Sequence, residues 1–94
     1  MYFKRNLFGR CSISTDEGTF DVVYYLTSSV GRRPEQYGIE LVKEPAGEGC
    51  NIENISTKIE EMTSLLQLLK EGQVTPMTAY DIVSDWLVWQ DQPI

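Results

Sequence analysis

Few residues of this 94-residue chain could carry chemistry, and histidine is absent. Histidine is the commonest general base and metal ligand, so acid–base catalysis and transition-metal binding lose their usual residue. Cys11 and Cys50 lack the paired spacing of a zinc site, and Arg10 is the one cation adjacent to either thiol. We therefore expect a non-enzymatic protein with no catalytic residues, no metal ion and no cofactor.

The two cysteines leave one alternative open. A disulfide between Cys11 and Cys50 is conceivable if the first and fourth strands are neighbours. In a cytosolic chain, two reduced and largely buried thiols are the more usual outcome, and we favour that state.

Two aspartates, Asp81 and Asp85, lie four residues apart and share the polar side of a predicted helix. Hard cations such as Mg²⁺ bind carboxylate oxygens, so this pair could hold magnesium or serve a small hydrolase. No basic or phosphate-binding residue lies near them in sequence. We favour a solvated helix face, which tolerates a like-charge repulsion of about 0.2–0.5 kcal/mol.

Arg32 and Arg33 follow Gly31 in a turn-rich connection. Arginine forks match phosphates and carboxylates, so the pair is a candidate anion contact. The alternative, which we favour, is a solvated hairpin tip.

The distribution of charge limits the class of partner. Residues 1–33 hold five basic and three acidic residues, for a net charge of +2, whereas residues 34–94 hold three basic and eleven acidic residues, for a net charge of −8. Residues 71–94 contain no lysine or arginine, so a helix there cannot neutralise DNA phosphates. We expect no nucleic-acid partner. No apolar run is long enough to span a membrane, and the first eight residues do not read as a signal peptide, so we expect a cytoplasmic protein without a membrane contact.

The elements that would position these residues begin with a helical hairpin over 56–89. Its first helix has apolar residues at spacings of three, four and seven, and Thr57 with Glu60 matches a capping box. Gly72 is expected to end this helix in the left-handed conformation, and Thr75-Pro76 to begin the second.

The preceding part of the chain, 11–55, predicts an antiparallel β-meander. Strands are expected at Cys11–Thr15, Thr19–Thr27, Tyr37–Glu44 and Cys50–Ile55. Residues 1–10 form either an edge strand or a basic aromatic arm that contacts a partner, and we favour the strand. Residues 90–94 are a polar tail. The chain is thus expected to be a single α+β domain over 1–94, with three or four strands and both helices on one face of the sheet.

Two sets of aromatic residues are candidate sites on this framework. Trp86, Val88 and Trp89 end the second helix in an apolar run, where little of the domain remains to cover them. Exposed aromatics are enriched at protein interfaces, so we predict a contact there with another chain, most simply a second copy in a two-fold dimer. A separate set predicts a ligand pocket between sheet and helices. Its members are Tyr24, Tyr37 and Tyr80.

Several short segments resemble a known family. They are Lys70–Pro76, Tyr80–Leu87, Tyr37–Glu40 and Ile55–Thr57. Together these segments resemble a family of short uncharacterised cytosolic proteins from anaerobic Gram-positive bacteria, a domain of unknown function. The resemblance covers residues 19–88. It implies a strand meander followed by two helices in a bacterial cytosol, and it implies no activity.

These observations support two functions. We favour a small protein-interaction or regulatory module that self-associates or binds another protein. The alternative is a small-ligand-binding domain that uses the tyrosine pocket. A cavity between sheet and helices would favour the ligand, and a solid core with an exposed apolar patch would favour the interaction.

Overall fold

The computed structural model describes residues 2–31, 35–45 and 47–91, which form four strands and two helices. In chain order they are β1 (Tyr2–Thr15), β2 (Gly18–Val30), β3 (Tyr37–Glu44), β4 (Glu48–Ser56), α1 (Ile59–Glu71) and α2 (Pro76–Asp91). The strands pair antiparallel in the order β1-β2-β3-β4. This arrangement confirms the predicted α+β class, a β-meander followed by a helical hairpin.

The N-terminal arm is part of the sheet. Residues 2–15 form one edge strand, which pairs with β2 from Tyr2–Val30 to Thr15–Gly18 and is interrupted by a bulge between Leu7 and Gly9. Sequence patterning separated residues 1–10 from the strand because the bulge shifts the alternation of side chains by one residue. The edge-strand alternative for this segment is therefore confirmed.

The strand register determines which side chains share each face of the sheet. The side facing the helices carries the core, because Val22, Tyr24, Ile39 and Leu41 have no solvent exposure. From the hairpin, Met62, Leu65, Leu66 and Leu69 of α1 close this core, together with Val74, Ala79 and Val83. Each of these eleven residues is at most 8% exposed.

The opposite face of the sheet, which we call the open face, carries cross-strand ion pairs. Arg5 binds Glu40 at 3.1 Å and stacks over the Tyr25 ring, with 4.3 Å from the guanidinium carbon to the ring centroid. Arg10 lies 3.4 Å from Asp21 and 3.6 Å from the carboxylate of Glu44. Polar pairs on one side and apolar contacts on the other are typical of an antiparallel sheet covered once.

The start of α1 corrects one sequence prediction. The predicted capping box of Thr57 and Glu60 is not formed, because Lys58 is the N-cap and makes no side-chain cap. Ser56 takes over the polar contacts: its Oγ accepts from the Lys58 backbone N–H at 3.0 Å and donates to the Glu61 carboxylate at 2.7 Å. The N-cap therefore lies one residue later than the capping box indicated.

The end of α1 corrects a second prediction. Gly72 has φ −81°, and the left-handed residue is Gln73, with φ 52°. Gln73 N–H donates to the Lys70 carbonyl, and Val74 N–H donates to the Leu69 carbonyl. This pair of bonds is the Schellman motif, in which the residue after the left-handed one packs back on the helix. Val74 does so as part of the core.

Candidate functional site

Helix α2 packs on the sheet through a narrow side. Pro76 begins it without losing a hydrogen bond, and the Thr75 carbonyl accepts from Ala79 N–H at 3.0 Å. Ala79 and Val83 are its fully buried side chains, while Ile82, Trp86 and Leu87 are partly buried. These five residues hold one side of the helix against the core, and the opposite side faces away from it.

That outward surface carries large apolar side chains from its first turn to its last. Met77 is 87% exposed, Tyr80 64% and Val88 57%. With exposed Ser84 between them, they are spaced by three, four and four residues, so they point within about 80° of one another at 100° per residue. We call Met77, Tyr80, Ser84 and Val88 the α2 stripe.

The predicted partner-binding residues fall in three places relative to this stripe. Val88 belongs to it. Trp89 is 73% exposed in the last part of the helix and points about 100° away from Val88. Trp86 is half-buried and lines an open cleft of about 240 Å³ against Glu60, Glu61 and Ser64 of α1. Their role in binding stays a prediction.

Met77 and Tyr80 are members of the exposed surface that sequence reasoning missed. Met77 was not among the candidate residues, and Tyr80 was assigned to the ligand pocket. The signal was present in the spacing of Met77, Tyr80 and Val88. It was hidden because α2 separates apolar from polar residues poorly, so the sequence does not reveal which apolar side is buried.

One flank of the α2 stripe is acidic. Asp81 and Asp85 are both exposed on that flank. Within the part of the chain that the structure describes, no group of three cysteines, aspartates or glutamates is placed to hold a metal ion.

The three tyrosines of the predicted pocket do not come together. Tyr24 is fully buried, and its hydroxyl donates to the Val74 carbonyl at 2.8 Å. Tyr37 is half-buried and lines an open cleft of about 390 Å³ beside Lys4, Asn6, Ser28 and Glu35. Tyr80 faces solvent on the α2 stripe. Tyr24 and Tyr80 line neither this cleft nor the one beside Trp86.

The environments of two tyrosines and one cysteine shift their acidity. Burial, followed by the contact with the Cys11 thiol 3.4 Å away, raises the pKa of Tyr24 above its ordinary value. Desolvation and then the neighbouring Glu35 carboxylate raise the pKa of Tyr37. Burial also raises the pKa of Cys50. Each shift favours the neutral form, so these groups are not activated as nucleophiles or bases.

The remaining candidates are separated or lie outside the described residues. Cys11 and Cys50 are both free, and they belong to β1 and β4, the two edge strands of the sheet. Two strands stand between them, about 14 Å at the usual spacing, which is too far for a disulfide. Arg32 and Arg33, the candidate anion contact, lie outside the described residues.

The geometry thus offers a filled core, open clefts and an exposed apolar helix face. A family model described as a family of unknown function, DUF6514, matches residues 4–88. The chain belongs to this family. The match begins well before residue 19, where the resemblance in sequence began, so β1 is included in the DUF6514 domain.

Searches of curated proteins and of solved structures found no match to this DUF6514 chain. The family carries no assigned activity, so it transfers no functional residues. No helix in the described ranges is long and apolar enough to cross a membrane.

Proposed function

We propose that this DUF6514 chain is a non-enzymatic protein-interaction module that self-associates through the outward side of α2. The observation that carries the proposal is the exposure of Met77, Tyr80, Val88 and Trp89 on one helix. Large apolar side chains left on a surface together mark interaction sites, and tyrosine and tryptophan dominate the energy of many interfaces.

The core supports an interaction in preference to a small ligand. Eleven side chains fill the space between sheet and helices with 8% exposure or less, and the clefts around it are open to solvent. Ligand sites are usually concave and enclose most of the ligand. If the protein bound a small ligand, the cleft beside Tyr37 would be the site.

The open face of the sheet is a weaker candidate for the contact. Its charged groups already pair across the strands, as Arg5 does with Glu40 and Arg10 with Asp21. Leu7 is the one large apolar side chain on it that is strongly exposed, at 65%, among the described residues. A single exposed leucine is ordinary for a protein surface.

We also propose that the module works in a bacterial cytosol. The support is the resemblance of its sequence segments to cytosolic bacterial proteins, together with two free cysteines, which suit a reducing compartment.

Sedimentation velocity tests the proposal with one double variant and one control. The wild-type protein should form a dimer as its concentration rises, and the Trp89→Ala, Val88→Ser variant should sediment as a monomer at the same concentrations. Leu7→Ser removes an equally exposed apolar side chain from the open face and should behave as wild type. A wild type that stays monomeric at high concentration, or a double variant that forms the same dimer, contradicts the proposal.

A further inference from the structure

Strand β1 forms one edge of the sheet and carries a long row of backbone groups there. It extends over 14 residues and pairs with β2 along one side. In an edge strand, every second residue turns its backbone N–H and C=O away from the sheet. Among the described residues, no other element of the protein forms backbone hydrogen bonds with these outward groups. The edge can therefore accept a further strand.

The opposite edge of the sheet is less suited to this role. β4 is shorter, with 9 residues, and its register shifts where Asn54 takes a φ of 57°. Helix α2 also packs against it. Bulges and covering elements are means by which proteins protect the edges of sheets. The bulge in β1 skips a single residue, Phe8, and the pairing is continuous on both sides of it.

Two lysines lie along the β1 edge, on the side of the sheet that faces the helices. Lys4 is exposed and lines the cleft that Ile59 of α1 also lines. Lys70 extends from α1 across β1 at Gly9, where an added Cβ would lie 3.2 Å from the Lys70 Cε and 3.5 Å from its Nζ. Within the ranges that the structure describes, neither lysine makes an ion pair. Both ammonium groups can therefore bind carboxylates from outside the domain.

We propose that the outer edge of β1 binds an extended acidic segment of a partner protein, which adds a strand to the sheet. Backbone hydrogen bonds hold the segment, and Lys4 and Lys70 select acidic side chains on its helix-facing side. The stretch from Lys4 to Gly9 pairs with four residues' length of β2, from Ser28 to Tyr24. A strand with the same spacing would carry two acidic residues four positions apart, on one face.

The charge of the edge argues against a second copy of β1 as the occupant. Two β1 strands side by side would bring Lys4, Lys70 and their equivalents together, and like charges on paired strands are destabilising. Lysines on an edge strand are a common protection against pairing of identical edges. A group that repels one partner and attracts another gives specificity. The edge therefore discriminates in favour of an acidic strand.

This surface is separate from the outward side of α2. The inference therefore goes beyond the proposed self-association and does not depend on it. One domain would then offer two contacts of different chemistry, an apolar helix side and a strand edge flanked by lysines.

Hydrogen exchange with a designed peptide tests the strand pairing. The probe is a peptide of alternating glutamate and valine with blocked ends, about ten residues long to match a long strand. It presents carboxylates on one face and apolar side chains on the other. When it is added to the full chain, amide exchange should slow in β1 and stay unchanged in β4.

Two control peptides separate backbone pairing from charge. An alternating lysine–valine peptide of the same length reverses the charge. The glutamate–valine peptide with every backbone nitrogen methylated keeps its carboxylates but has lost its backbone donors. Neither control should slow exchange in β1.

Protein variants test the two lysines. Lys4→Gln and Lys70→Gln should each weaken binding of the glutamate–valine peptide about two- to five-fold, the usual effect of losing an exposed ion pair. Added salt should also weaken binding. Lys43→Gln is the matched control, because this lysine lies over the Phe20 ring on β3, with β2 between it and β1. It should bind the peptide as wild type does.

Several results would overturn the inference. One is unchanged exchange in β1 at peptide concentrations up to about 1 mM, which corresponds to a weak contact. Equal binding of either control peptide, or equal weakening by Lys43→Gln, would overturn it as well. Slowed exchange in β1 that appears as the protein alone is concentrated would make a second copy the occupant. A dimer formed through α2 leaves exchange in β1 unchanged, so the proposed function is decided separately by sedimentation.

Discussion

Tyr24 links the sheet to the helical hairpin through its hydroxyl. The side chain rises from the centre of β2, is fully buried, and donates a 2.8 Å hydrogen bond to the Val74 carbonyl in the α1–α2 connection. The Cys11 thiol lies 3.4 Å from the same oxygen. This hydrogen bond therefore ties the hairpin to the sheet from within the core, beside the apolar contacts.

Removing that hydroxyl should be costly because it leaves a buried carbonyl unpaired. Tyr24→Phe should lower the free energy of unfolding by about 1–3 kcal/mol at pH 7, the range for an unsatisfied buried group. Tyr80→Phe, which removes a hydroxyl from an exposed ring, should leave it unchanged within about 0.5 kcal/mol. Urea unfolding of both variants measures the difference. Equal losses would show that the Tyr24 bond adds nothing to stability.

Wild type and Tyr24→Phe should differ in how their stability depends on pH, because the pKa of Tyr24 is raised in the folded protein. Above the ordinary tyrosine value of 10.0, unfolded Tyr24 loses its proton while the folded protein keeps it, so unfolding is favoured. Wild type should lose up to about 1.4 kcal/mol per pH unit from this group above pH 10, and Tyr24→Phe should not. The stability gap between them should narrow as pH rises, and a constant gap from pH 8 to pH 11 would contradict this account.

At the scale of elements, the sequence predicted which segments are strands and helices far better than how they begin and end. β3 was predicted at its observed bounds, because an alternating strand bounded by turns has no competing interpretation. The end of α1 at Gly72 was predicted correctly, but its N-cap was misassigned, because Ser56, Thr57 and Lys58 could each begin a helix and tertiary contacts decide among them. The left-handed residue after α1 was misassigned for a similar reason. The packing of Val74 in the core places the turn at Gln73, and the local sequence does not show that packing.

The candidate site was predicted only in part for a related reason. Val88 and Trp89 could be identified from the end of α2, where little chain remains to cover them. Tyr24 was assigned to a ligand pocket because a strand pattern gives the face of a residue but not its depth below the helices. Met77 was not singled out because the side of α2 that packs on the sheet is decided by tertiary contacts, which no local pattern records.

The bulge in β4 makes Gly38 a requirement of the sheet. The register of β3 and β4 shifts between Tyr37 and Ile39, and Asn54 takes a φ of 57°. A Cβ on Gly38 would overlap the Ile52 carbonyl oxygen and come within 2.9 Å of the Glu53 Cα atom. Because those atoms are backbone, the strand would have to move.

Gly38→Ala should therefore lower the free energy of unfolding by about 1–3 kcal/mol, the usual cost of overpacking. Gly9→Ala is the matched control, because a Cβ there meets only the flexible end of the Lys70 side chain at 3.2 Å. Thermal unfolding followed by circular dichroism measures both. A Gly38→Ala protein as stable as Gly9→Ala would mean that β4 does not cross Gly38 as described.

At the scale of the whole molecule, the sheet and both helices share one core, and the two outer sides of the protein differ in their surface chemistry. The open face of the sheet is completed by ion pairs across its strands. On the helical side, α1 leaves two large apolar side chains exposed, Ile59 and Leu68, whereas α2 leaves four, Met77, Tyr80, Val88 and Trp89. The surplus of apolar surface is thus concentrated on one helix, which is where an assembly would gain most by covering it.

The last prediction also follows from the single core. It compares a buried leucine with an exposed leucine in the same helix. Leu66 and Leu68 lie two residues apart on α1, but Leu66 is fully buried in the core and Leu68 is 52% exposed. Leu66→Ala should lower the free energy of unfolding by about 2–5 kcal/mol through lost burial and the cavity left behind. That is a large share of the total stability of about 5–15 kcal/mol that domains have.

Leu68→Ala should change the unfolding free energy by less than about 1 kcal/mol, since its side chain is half in water already. Urea unfolding followed by both far-UV circular dichroism and tryptophan fluorescence measures the two variants. Because one core joins sheet and hairpin, both signals should move together to lower urea for Leu66→Ala. A loss under about 1 kcal/mol for Leu66→Ala, or a fluorescence transition that separates from the circular dichroism, would show that α1 is not the element that closes the core.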